Sequence, residues 1–73
     1  MKQRLQENTE PVAVLVHLEE EQAWALAELC KRFTWDHAVN LSVPHDGGHE
    51  RDAMLSATGV LRTALADVGY GVR

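Results

Sequence analysis

VAVLVHL, residues 12–18, is the stretch whose reading decides the fold. It is short, apolar and rich in β-branched valine, as strands are. In a strand Val12, Val14, Val16 and Leu18 share one face, and Ala13, Leu15 and His17 the other. Both faces are largely apolar, which points to cover on both sides, or to a second copy on one of them. Pro11 fits at the strand's start, where a missing N–H costs least. Residues 41–43 are the only other, weaker strand candidate. A lone strand leaves its N–H and C=O groups without partners. The simplest remedy is a homodimer in which two copies of Val12, Val14, Val16 and Leu18 pair as an antiparallel β-ribbon. The competing remedy is addition of the strand to another protein's sheet edge.

Immediately after this stretch comes the clearest helix, EEEQAWALAELCKRFTW, residues 19–35. Glu19, Glu20 and Glu21 complement the helix dipole at its start, and Lys31 and Arg32 do so at its end. Ala23, Leu26, Ala27, Cys30 and Phe33 recur at helical spacing and form a core stripe, widened by Leu29. Trp24 sits about 100° from Ala23, at the edge of that stripe. A short helix is expected over residues 36–41, with Ala38, Val39 and Leu41 turned inward and Pro44 ending it. HDGGH, residues 45–49, reads as the main loop. A last helix is expected over residues 50–68, with Met54, Ala57, Thr58, Leu61, Ala64, Leu65 and Val68 as its stripe. Asp46 or Gly48 is its candidate N-cap. Gly69 suits a left-handed C-cap, with Tyr70 packing back on Leu65.

The expected class is therefore α+β, a strand–helix–short helix–helix domain that dimerises through the ribbon. The domain spans residues 11–70, between a polar N-terminal tail, residues 1–10, and a short C-terminal tail, residues 71–73. A chain of 73 residues makes one domain at most. It buries roughly 60% of its unfolded surface, which leaves a single core marginal. Cys30 stands alone, so no internal disulfide reinforces it. That single cysteine and the absence of an apolar leader in MKQRLQENTE point to the cytoplasm.

Composition excludes more than it assigns. The net charge of −4 disfavours a general phosphate-backbone binder and suits a protein partner, including a basic surface. His45 and His49 have a zinc-like spacing, with Asp46 and His37 nearby, but that spacing straddles two glycines and a structural zinc needs four ligands. No metal and no cofactor is expected. Cys30, mid-stripe on an apolar helix face, reads as an inert small hydrophobe. Asp36 and His37 diverge by about 100° on a helix. Gly47-Gly48 lacks the context of a phosphate loop. An enzyme is not expected.

Strand–helix–helix order resembles the ribbon-helix-helix repressors, which implies a DNA-binding transcriptional regulator contacting DNA through the paired strands and through Lys2 and Arg4. In that family the outward strand residues are polar or basic, whereas here they are Ala13, Leu15 and His17, or Val12, Val14 and Val16, none suited to several hydrogen bonds with bases. QAWALAELCKR, the following Trp35, and LRTALADVGY resemble a group of short bacterial proteins carried by plasmids and prophages. In character the chain is also similar to small phage anti-defence proteins of the anti-CRISPR kind. The bacterial group brings no established activity. The compositional likeness to anti-defence proteins implies a protein-binding module, an inhibitor from a mobile element acting on a host defence or nucleic-acid-processing complex. Trp24 and Trp35 are the candidate hot spots, and Glu19, Glu20, Glu21, Glu28 and Asp36 the candidate contacting charges. For the tryptophans the plainer reading is partial core burial. For the carboxylates it is a solvated helix face.

Overall fold

The computed structural model describes residues 11–71, and the only regular secondary structure among those residues is helical. In chain order come α1 (Glu20–Arg32), α2 (Trp35–Leu41) and α3 (His49–Asp67). The expected N-terminal tail, residues 1–10, and the end of the C-terminal tail lie outside the described residues.

α1 begins where its sequence says it should. Glu19 is the N-cap, with extended backbone, and its N–H donates to Gln22 Oε1 at 2.9 Å, forming a capping box. Glu20 and Glu21 fill the first turn and Lys31 and Arg32 the last. The helix stops at Arg32, shorter than expected, because Phe33 takes an extended conformation and Thr34 starts a new helix. The Thr34 N–H donates to His37 Nδ1 at 3.1 Å, a capping box with histidine in the usual Glu or Gln place. Trp35 thus opens α2 instead of closing α1.

At the start of α3, Gly48 is the N-cap, at φ 85°, a left-handed conformation that favours glycine. The capping side chain comes from Asp46, which accepts from Gly48 N–H at 3.0 Å and Glu50 N–H at 2.8 Å. The Val43 N–H donates to Glu50 Oε1 at 2.7 Å, tying the end of α2 to the start of α3. At the other end Gly69 has φ 100°; its N–H donates to Ala66 O at 3.0 Å, and Tyr70 N–H to Leu65 O at 2.8 Å. That pair of bonds is a full Schellman motif, as expected.

The expected α+β class is overturned. Residues 12–18 form no strand, no β-ribbon is present, and no sheet exists among the described residues. Val12, Val14, Val16 and Leu18 are therefore not a dimer strand. The reason is that β-branched composition favours extended backbone but a strand is defined by its ladder, and none of the backbone hydrogen bonds among the described residues involves residues 12–18. The weaker candidate supplies no partner, because Leu41 ends α2 and Ser42 caps it.

α1 and α2 each pack against α3 and not against each other. The core is small. Ala23, Ala27 and Leu65 form its buried cluster, with Leu26 and Tyr70 packed around it. Cys30 is buried further along α1, and Ala38 is fully covered under α2. No helix is long and apolar enough to cross a membrane among the described residues.

Candidate functional site

The apolar stripe of α3 is wider than the other described residues cover. Projected at 100° per residue, its apolar positions run from Val60 through Ala64, Ala57, Val68 and Leu61 to Met54, Leu65 and Thr58. Half-buried Leu55 lies about 60° further, making an arc of roughly 220°. Helices α1 and α2 cover one end of that arc, where Leu65 is buried and Met54 and Thr58 are half-buried. The other end is open: Val60 is 67% exposed, Val68 69% and Leu61 41%.

A hollow of about 530 Å³ runs along α3 by Gly59, Val60, Ala64 and Asp67. Two more adjoin one another, and one of them shares Ala64 with it. One, of about 590 Å³, lies between the three helices and is lined by residues that include Leu29, Cys30, Phe33, His37 and Leu41. The other, of about 470 Å³, lies between residues 14–18 and the α1–α3 seam, and includes Val14, Leu15, Ala64, Val68 and Tyr70. Leu26 and Leu61 line both, so they form the wall between them. The open face is therefore continuous, from the residue 12–18 segment across this wall to Leu29 and Leu41. Neither of these two hollows is lined by a carboxylate.

The sequence-predicted site residues do not come together. Trp24 is half-buried, its ring edge-to-face with Tyr70, centroids 4.8 Å apart. Trp35 is exposed, with the Arg51 guanidinium carbon 5.3 Å from its ring centroid. Arg51 lies in the first turn of α3 and Tyr70 beyond its last, so the two tryptophans sit at opposite ends of α3, roughly 25 Å apart along its axis. Glu20 and Glu21 are exposed in the first turn of α1 and Asp36 in that of α2. Glu28 is engaged by Arg32 at 3.1 Å. Leu29, Leu61, Val68 and Leu41, read from the sequence as core, are instead the exposed face. The one available signal was the breadth of the α3 stripe, too wide for two short neighbours to cover.

Chemically reactive groups are quiet. Burial pushes the Cys30 thiol above its usual range, with Arg62 opposing weakly, so the sulfur is not poised as a thiolate. The Asp46 carboxyl is held below its usual range, first by the Glu50 N–H and further by the Gly48 N–H. Among the described residues no group of three or more His, Cys, Asp or Glu side chains is placed to hold a metal ion.

The chain belongs to a family of unknown function (DUF7706), whose model matches residues 1–73. No curated protein and no solved structure matches it.

Proposed function

We propose that this chain is a non-enzymatic protein-binding module that works through the open apolar face. One observation carries this reading: Val14, Leu15, Val16, Leu29, Leu41 and Val68 stand 59 to 85% exposed around two adjoining hollows. Contiguous apolar surface of this kind marks interaction sites in soluble proteins. The buried, protonated Cys30 supports a binding role over nucleophilic chemistry.

A narrower version makes the target a basic surface, as on a host defence or nucleic-acid-processing complex, and makes the chain an inhibitor of mobile-element type. The net charge of −4 supports it, as do the exposed carboxylates Glu20 and Glu21 at the start of α1 and Asp36 next to exposed Trp35. The ribbon-helix-helix alternative rested on paired strands, which the described residues do not contain.

Retention of a host protein on the immobilised full chain, identified by mass spectrometry, tests the module. Loss of the retained protein with Leu29→Glu supports the apolar face. Loss with the pair Glu20→Lys and Glu21→Lys supports the basic-target version. A chain that retains nothing, in which Leu29→Glu changes neither binding nor assembly, overturns the reading.

A further inference from the structure

We propose that the occupant of the open apolar face is a second copy of this chain, paired face to face about a two-fold axis through the helices, without strand pairing. This pairing rests on the protein-binding reading above and names the partner.

The first support is what the chain lacks alone. Among the described residues the buried hydrophobics are Ala23, Ala27, Cys30, Ala38 and Leu65, and only the last is large. Small domains often gain stability from a disulfide, a metal or a partner subunit. The single cysteine forms no internal disulfide, and no metal-ligand cluster exists among the described residues.

The second support is area. A buried Val or Leu side chain removes on the order of 100 Å² from water. At their exposures of 59 to 85%, Val14, Leu15, Val16, Leu29, Leu41 and Val68 together offer roughly 400 Å² of apolar surface. A standard interface buries about 800 Å² per partner, a little over half of it apolar, or roughly 450 Å². The open face is thus the size of one interface.

Shape and charge choose the occupant. The wall formed by Leu26 and Leu61 has a hollow on each side. A copy related by a two-fold axis sets its own wall into one of those hollows, ridge into groove, and receives the first copy's wall in return. A basic partner at this face finds no carboxylate in either hollow. Glu20, Glu21, Asp36 and Asp52 are exposed outside both hollows, where two chains of charge −4 keep them in solvent. A largely apolar face, with Arg32 in one hollow and Asp67 in the one along α3, matches another of the same kind across a two-fold axis.

Sedimentation equilibrium of the full chain at micromolar concentration tests this, together with melting at several concentrations. The expected result is twice the chain mass and a Tm that rises with concentration. Leu29→Glu and Leu61→Glu should each weaken association by roughly a hundredfold or more, since each buries an unpaired charge. Ala25→Glu, on the exposed side of α1 and lining none of the three hollows, should leave the dimer intact. Where Leu61→Glu unfolds, Leu29→Glu and the concentration-dependent melting of the unaltered chain decide. A dimer insensitive to both face substitutions, or a wild-type monomer with concentration-independent melting, overturns the pairing. If that monomer loses a retained host protein on Leu29→Glu, self-pairing falls and the protein-binding reading stands. If Leu29→Glu changes nothing, both fall.

Discussion

Trp24 and Tyr70 meet edge to face, ring centroids 4.8 Å apart and planes 69° from parallel. The pair fastens α1 to the turn that ends α3, and it does so only because Gly69 turns the chain back on itself. A residue singled out from sequence as an interface anchor is thereby placed at the edge of the core.

Tyr70→Ala should lower stability by about 1–2 kcal/mol, losing both the ring pair and the apolar contact of the Schellman turn. Urea unfolding measures it. The same variant should shift Trp24 emission to the red, as that ring becomes wetter; unaltered emission and midpoint would show that the contact contributes nothing.

Two glycines should respond to alanine with opposite sign. Gly69 has φ 100°, so Gly69→Ala should cost about 1 kcal/mol or more. Gly59 sits inside α3, where an added Cβ meets nothing within 4 Å. Gly59→Ala should raise stability by up to ~1 kcal/mol. Thermal melts of the two variants check the sign.

Asp46 gives a pH signature. Its carboxyl is held below the ordinary 3.8, chiefly by the Glu50 N–H, so the folded state binds this proton less readily than the unfolded chain. Its contribution is therefore fully present above the unfolded value and fades as pH falls through the lowered folded one. Asp46→Ala should melt below wild type near neutral pH, and the two curves should converge in acid below 3.8. A gap that persists at the lowest pH would place the effect elsewhere.

Cys30 is buried and its thiol is pushed up by that burial. In native buffer it should react with a disulfide reagent at the rate at which the fold opens, and at full speed in denaturant. Rapid native reaction would mean that the hollow beside it admits solvent freely.

The open face bears on the edges of what sequence can tell. The breadth of the α3 stripe was legible, and so was each of its apolar positions. Which of them α1 and α2 cover was not. Leu65 and Leu61 occupy the same stripe with the same chemistry, yet one is 7% exposed and the other 41%. Only the lie of α1 across α3 separates them.

By itself the sequence determined the three helices and most of their ends, because those depend on neighbours in the chain. The exception is the break at Phe33 and Thr34, which moved Trp35 from α1 to α2. Glu19 with Gln22, the acidic first turn and basic last turn of α1, and Gly69 before Tyr70 all act within a few residues. It also determined that residues 12–18 are apolar and disposed against helix. Whether they become a strand is a non-local matter, since a strand exists only when another backbone lies within hydrogen-bonding reach. No such neighbour stands beside them among the described residues, so tertiary structure turned a reading of α+β into an all-helical frame. The same cause, too few elements for the apolar surface the sequence supplies, leaves that frame with an open face.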